Sequence, residues 1–194
     1  MIAIIDYKAG NATSVFHAVS RLGNEAILAH NPRDIESATH IILPGVGSAR
    51  ATMDSLREMK IINALEEAVI GKKVFFLGIC VGLQVLFEHS EEGDTDCLGW
   101  LKGRVAKFDA NAVRVPQMGW NHVWDDYFYF VNSYYAIPVD NADIWGTADY
   151  NGSFTAAVRR GNIYATQFHI EKSGEAGLAL LNSFLKLRKE GCSC

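Results

Sequence analysis

The sequence predicts an α/β fold: one domain spanning residues 1–194, with a mixed, mostly parallel central sheet flanked by helices and an added antiparallel sheet in the second half. Three observations predict it. Short, continuous apolar runs alternate with helical patterns through the first half, as buried parallel strands and their crossover helices do. Strand-like runs separated by turn signals then crowd residues 103–166 without helical patterns between them. The length of 194 residues suits a single domain, which at this size buries roughly 70% of its extended surface without disulfide or metal staples.

The elements follow in order. Ile2–Ile5 is wholly apolar and reads as a buried strand, and Lys8-Ala9-Gly10 turns the chain. Val15, Val19 and Leu22 recur at helical spacing, so a helix is expected over 13–22, stopped by Gly23-Asn24. Strands are expected at 26–29 and 40–43, the second ended by Pro44-Gly45. Met53, Leu56, Met59, Ile62, Leu65 and Val69 keep an apolar face through most of 49–70, which reads as one long helix closed by Gly71. A strand at 73–77 and a helix from Leu83 to Phe87 follow. In the second half, strands are expected at 113–115, 127–131, 144–146, 154–158 and 163–166, in an antiparallel arrangement. A last helix over 175–189 places Leu178, Leu181, Phe184 and Leu185 on one face.

Composition excludes several functions. Apolar residues make up 49% and charged residues 21%, which argues against a disordered chain. The net charge of −4 argues against nucleic-acid binding. No apolar run approaches the ~20 residues that span a bilayer. Met1–Asp6 has no basic segment and reaches a charge after five residues, unlike a secretory signal, so a cytoplasmic chain is expected. Of the four cysteines, Cys80, Cys97, Cys192 and Cys194, none forms a CxxC pair. Neither a disulfide framework nor a metal site is indicated.

Cys80 stands apart. Gly78-Ile79-Cys80-Val81-Gly82 follows an apolar strand and precedes a helical run. This G-x-C-x-G is the cysteine counterpart of the nucleophile elbow, in which a sharp turn presents the side chain above a sheet. The glycines allow strand and helix backbones to approach, and the helix start favours thiolate over thiol. A lone cysteine is also commonly a small buried hydrophobe, so a base is needed to decide. Of the six histidines, His17, His30 and His40 lie within or beside predicted elements as surface or packed residues. His169 differs: it directly follows the last strand, and Glu171 lies two residues on. In an extended segment that spacing puts both side chains on one side, where a carboxylate can orient an imidazole.

These segments together resemble the class I (triad) glutamine amidotransferases, and within them the glutaminase subunits of imidazole glycerol phosphate synthases. The resemblance runs from Ile4-Ile5-Asp6-Tyr7 with Gly10-Asn11, through Leu43-Pro44-Gly45-Val46-Gly47, Gly78–Gln84 and Leu86-Phe87-Glu88, to Gln167–Ser173. Val115–Asn121 is its most subfamily-specific stretch, supported by Tyr129–Tyr134. It implies a flavodoxin-like fold in which Cys80 is the nucleophile, His169 the base and then acid, and Glu171 the orienter. Gly45, Val46 and Gly47, with the Val81 amide, match the oxyanion-hole region, whose backbone donors are worth ~10²–10³ in rate each. Its glycines permit a peptide flip that a partner could switch on. Gln84, Glu92 and Ser133 match contacts to bound glutamine. Asn11, Trp120 and Lys172 match the face toward the synthase, and Gln117 and Met118 fall in the same segment.

The implied activity is hydrolysis of L-glutamine to glutamate and ammonia through a γ-glutamyl thioester, without cofactor or metal. The ammonia passes to a separate synthase subunit, a (β/α)₈-barrel cyclase of histidine biosynthesis, in a heterodimer. The subfamily pattern has His where Gln117 and Asn132 stand and Pro where Ile170 stands. The first two departures bear on the acceptor, so a paralogous glutaminase serving another synthase, such as a sugar-amidating enzyme of surface-glycan synthesis, is the alternative. A non-catalytic binding subunit is a more remote one.

Overall fold

The computed structural model describes residues 1–8 and 11–188. Its first half runs β1 (Ile2–Ile5), α1 (Ala12–Arg21), β2 (Ala26–Ala29), β3 (His40–Gly45), α2 (Ala49–Glu58), α3 (Ile62–Glu66), β4 (Phe75–Cys80) and α4 (Val81–Gln84). The second half adds β5 (His89–Ser90), β6 (Thr95–Asp96), β7 (Gly103–Lys107), β8 (Gln117–Val123), β9 (Asp126–Asn132), β10 (Tyr134–Pro138), β11 (Ile144–Asp149), β12 (Ser153–Arg160) and β13 (Ile163–Thr166), then α5 (Gly174–Leu185).

Eleven of these strands form one sheet in the order β2-β1-β3-β4-β13-β12-β10-β7-β5-β6, with β11 added beside β12. The β2-β1-β3-β4 run is parallel. The strand β13 is the pivot, parallel to β4 and antiparallel to β12. The antiparallel strands thus extend the main sheet, while β8 and β9 pair apart from it as a hairpin. Every residue of β1 and β3 is buried, as expected of strands covered on both faces. The α1 stripe Ala12, Val15, Ala18 and Val19 and the α5 residues Leu181, Phe184 and Leu185 supply part of that cover. The hairpin is anchored by Phe128 and Phe130, whose ring centroids lie 4.2 and 5.5 Å from that of Phe168. That contact holds it over the end of β13.

Several expected boundaries shift for local reasons. The apolar stretch 49–70 is not one helix: Lys60, with φ 54°, ends α2, and the chain restarts as α3 and a single π turn over 67–71. Its apolar side chains still face the core, so periodicity survives a break that it does not reveal. Lys73, with φ 55°, delays β4 to Phe75, and the strand then runs on to Cys80. The helix expected at 83–87 is a single turn at 81–84, and the fully buried Val85, Leu86 and Phe87 lead directly into β5. No strand forms at 113–115; pairing begins only after Pro116, which has no N–H to give a ladder. Strands β5, β6, β7, β8 and β10 were not expected from the pattern. Helix α5 stops at Leu185. The expected end of that helix at Lys189, the Ala9-Gly10 part of the first turn, and Cys192 and Cys194 lie outside the described residues.

Candidate active site

The chemistry-bearing residues gather at the C-terminal ends of four adjacent parallel strands, where open α/β sheets place their ligand sites. Tyr7 follows β1, Gly45–Gly47 end and follow β3, Cys80 ends β4, and Gln167 and His169 follow β13.

Cys80 has φ 55° and ψ −106°, a conformation that costs a non-glycine residue ~1–3 kcal/mol and persists only when its surroundings impose it. The surroundings are visible. A Cβ on Gly82 would collide with the Leu43 carbonyl oxygen, and one on Gly78 with the Gly82 carbonyl oxygen. Both glycines therefore let the turn pass under its neighbours. The thiol is 4% exposed, with Sγ 3.8 Å from the Val131 carbonyl oxygen and 3.5 Å from Gln167 Nε2.

His169 is held from both sides. Its N–H donates to the Tyr129 carbonyl (2.9 Å), and its carbonyl accepts from Ser173 Oγ (2.6 Å). Its Nδ1 lies 2.8 Å from Glu171 Oε1, which also accepts from Asn11 Nδ2 at 3.3 Å. The pairing does not come from an extended segment: residues 170–172 form a 3₁₀ turn, and that turn brings the carboxylate back to the ring. Burial alone would depress the imidazole, but hydrogen bonds to Cys80 and Glu171 outweigh it and raise its pKa to about 9. Burial likewise pushes Glu171 upward, and the bonds from His169 and Asn11 reverse this and hold it below its ordinary value. The arrangement holds an imidazolium between a carboxylate and the Cys80 sulfur.

Beside Cys80 lies a cavity of about 270 Å³ whose walls include Val46, Gly47, Val81, Gln84, Glu92 and Ser133. Six residues expected from the resemblance, on four separate segments, thus meet at one space with Cys80 and His169. Gly45 sits just behind it, packed against Val81 and Gly82. Gly47 has φ 96°, a left-handed conformation suited to glycine, and it is exposed at the cavity rim. The Val81 amide heads α4, so it has no acceptor within that helix. Gln84 Nε2 donates to the Tyr134 carbonyl (3.3 Å) and Gln167 Oε1 (3.1 Å), which leaves its own carbonyl oxygen for a ligand. Glu92 Oε2 accepts the Ala49 N–H at 2.8 Å, and burial raises its pKa. Among the described residues, no cluster of three or more His, Cys, Asp or Glu is placed to hold a metal ion.

The five residues expected toward a partner divide. Met118 and Trp120 are 66% and 57% exposed, and Lys172 is exposed at the cavity rim. Asn11 and Gln117 are buried, Asn11 against Glu171. Gln117 pairs in register with Asn132, and each keeps a buried carbonyl oxygen without a partner among the described residues.

The glutamine amidotransferase class-I family model matches residues 3–187. The chain belongs to this family. Relatives agree: subunit HisH 2 of imidazole glycerol phosphate synthase from Methanococcus maripaludis is 40% identical, covering 96% of this chain and 99% of that protein. The HisH subunits from Dehalococcoides mccartyi and Herpetosiphon aurantiacus are 43% and 44% identical, each over 96% of this chain and over 97% and 94% of their own lengths. A crystal structure of a glutamine amidotransferase superposes with a TM-score of 0.77 at 18% identity, over 96% of this chain and 99% of that one. PurLQS from Thermotoga maritima gives 0.74 at 16%, over 95% and 96%. At such identities the likeness shows the shared fold.

In this amidotransferase two residues near the sulfur had no role in the sequence reading. Gln167 touches Cys80, and Tyr7 bonds Thr52 at 3.2 Å while its hydroxyl backs onto Gly45. Burial pushes the Tyr7 phenol up to about 12, so it is neutral. A signal for Gln167 existed: it is a polar residue directly after the strand expected at 163–166, two positions before His169. Tyr7 had only its place after β1, which matters once β1 is known to lie beside β3.

Proposed function

We propose that this amidotransferase is the glutaminase subunit of an imidazole glycerol phosphate synthase, supplying ammonia to a separate (β/α)₈-barrel cyclase in cytoplasmic histidine biosynthesis. The observation that carries the glutaminase chemistry is the meeting of Cys80 and His169, the latter paired with Glu171, at one cavity. The names of the relatives support the choice of synthase.

The chemistry follows from the geometry. The Cys80 thiolate attacks the side-chain amide carbon of L-glutamine, and the carbonyl electron pair moves to oxygen. Amides of the Val46–Gly47 loop and Val81 receive that charge. As the intermediate collapses, the His169 imidazolium gives its proton to the amide nitrogen, which leaves as ammonia. Water then attacks the γ-glutamyl thioester while His169 takes its proton, and the expelled thiolate restores Cys80 with release of glutamate. Glu171 keeps the ring aligned throughout. Gln84, Glu92 and Ser133 hold the amino-acid part of the substrate. The Gly47 conformation supports a loop that a docked synthase switches into its productive form.

Glutamate release from the chain with its partner tests this reading. Cys80→Ala abolishes it; unchanged release would overturn Cys80 as the nucleophile, and no release from the parent complex would leave a non-catalytic binding subunit. The isolated chain hydrolyses glutamine poorly, and full activity without a partner would contradict the switch. One observation favours a second reading: Gln117 and Asn132 stand in register with unpaired oxygens where the subfamily has His. A paralogue feeding a sugar-amidating synthase would differ there, and co-purification of the partner separates the two.

A further inference from the structure

Beyond the triad, a chain of buried amides ends on the reacting sulfur. Gln167 is fully buried and Gln84 is 3% exposed. Gln84 Nε2 lies 3.3 Å from the Tyr134 carbonyl oxygen and 3.1 Å from Gln167 Oε1, and Gln167 Nε2 lies 3.5 Å from Cys80 Sγ. A backbone carbonyl only accepts, so the Gln84 atom facing Tyr134 is its nitrogen. That nitrogen's second proton fixes Gln167 with its oxygen toward Gln84. The remaining end of Gln167, a donor, is thereby aimed at sulfur. Asn132 Nδ2 donates to the same Tyr134 oxygen at 3.0 Å and fills its second lone pair. The polarity of the whole relay is set from a backbone carbonyl, and its two amide side chains cannot reverse without losing a buried hydrogen bond, at ~1–3 kcal/mol.

A donor so placed has little to offer a thiol, whose sulfur is a weak acceptor, and much to offer a thiolate. We propose that Gln167 is a catalytic residue of the glutaminase, a neutral hydrogen-bond donor that stabilises the Cys80 thiolate and is held to that task by Gln84. The inference deepens the reading of Cys80 as nucleophile and rests on it. Gln167 exchanges no proton and makes no covalent bond. Its N–H supports the charged sulfur before attack and again when the thioester breaks and the thiolate leaves. It works alongside the imidazolium of His169, which is also hydrogen-bonded to Cys80. The titratable and charged groups around the sulfur are His169 and Tyr7, with Glu171 behind the imidazole and Glu92 and Lys172 across the cavity. Replacing Gln167 alters none of them.

The test reads the thiol directly. The full chain is alkylated with iodoacetamide across a pH series, and peptide mapping separates Cys80 from Cys97, Cys192 and Cys194. In Gln167→Met, which keeps the volume and removes the donor, the midpoint for Cys80 rises by ~1 pH unit, slowing alkylation below it about 10-fold. A purely structural role would leave the midpoint in place. A folded Gln167→Met chain with an unchanged midpoint overturns the proposal. The unaltered protein gives a second measurement that needs no stable Gln167 variant. By NMR, the Gln167 side-chain amide protons move downfield as Cys80 ionises, and Cys80→Ala abolishes the movement; amide protons that ignore the Cys80 titration overturn the proposal. Neither readout uses glutamine, so failure here is distinct from failure of the glutaminase reading, which glutamate release decides.

Discussion

His169 Nδ1 and Glu171 Oε1 are 2.8 Å apart, with side chains only 2% and 1% exposed. The pair sets the resting protonation of the site and, with it, a pH signature of stability. The folded pKa of His169, about 9, exceeds its ordinary 6.5. Its contribution is therefore complete below about pH 6.5 and is lost as pH rises through about 9. The folded pKa of Glu171 lies below its ordinary 4.5, so its contribution is complete above that value and lost in more acid solution. Thermal unfolding followed across pH should thus show a decline between about 6.5 and 9 that weakens in Glu171→Gln. Cys80→Ala should weaken it as well, since the hydrogen bond to Cys80 also raises the imidazole. An undiminished alkaline decline in both variants would show that the pair is not its source.

The elbow makes a steric prediction. Gly82→Ala drives a methyl group into the Leu43 carbonyl oxygen, which belongs to β3, the strand beside the one that ends in Cys80. Backbone cannot yield as a flexible side chain does, so β3 and α4 separate. Overpacking of this kind costs ~1–3 kcal/mol, which lowers Tm by roughly 2–12 °C at this chain length. Glutaminase activity falls further than stability does, because Cys80 and the Gly45–Gly47 loop move apart. A variant with unchanged Tm and activity would place the constraint elsewhere.

Much of this site was readable from sequence because strand ends and turns carry local signals. The G-x-C-x-G turn announced itself through two glycines that the Leu43 and Gly82 carbonyl oxygens require. The His169–Glu171 pairing was also legible, although it is made through a 3₁₀ turn. What periodicity conveyed poorly was where elements stop. Lys60 and Lys73 reverse the chain with positive φ, a conformation neither residue type advertises. The hairpin strand β8 was missed because its alternation is spoiled by exposed Met118 and Trp120, apolar residues on the solvent side. The inward turn of Asn11 depends on α1 packing near the 170–172 turn, a contact between residues 160 positions apart. No local pattern reports such a distance.

Glu92 separates binding from chemistry. Glu92 lines the same cavity as Cys80, and its carboxylate accepts the Ala49 N–H. A carboxylate there suits the α-ammonium group of glutamine, and the bond from Ala49 orients it. Glu92→Gln keeps an oxygen for Ala49 but removes the charge. KM for glutamine should rise ~10-fold or more while kcat changes little, the pattern expected when ground state and transition state lose the same contact. Steady-state glutamate release with the partner present measures both. A fall in kcat at constant KM would instead place Glu92 in the chemistry.

The exposed face of the β8–β9 hairpin makes the last prediction. Register places Met118 opposite Val131, Trp120 opposite Tyr129 and His122 opposite Tyr127. The rings of Trp120 and Tyr129 meet edge to face at 5.8 Å, and Tyr127 is 62% exposed. Val131 spans the two worlds: its carbonyl faces Cys80 Sγ, and it lines the cavity. An apolar, aromatic patch of this sort on a solvent face favours a protein partner, and here the patch lies on the hairpin whose Val131 carbonyl faces Cys80. Trp120→Ala removes no buried contact, so its effect on Tm should stay within ~2 °C. Its effect on association should be large, about 30-fold or more in Kd, as for a central aromatic anchor. Calorimetric titration of the synthase subunit into parent and variant chains measures this. Unchanged affinity would move the docking face away from the hairpin, and with it the route by which a partner reaches Cys80 through Val131.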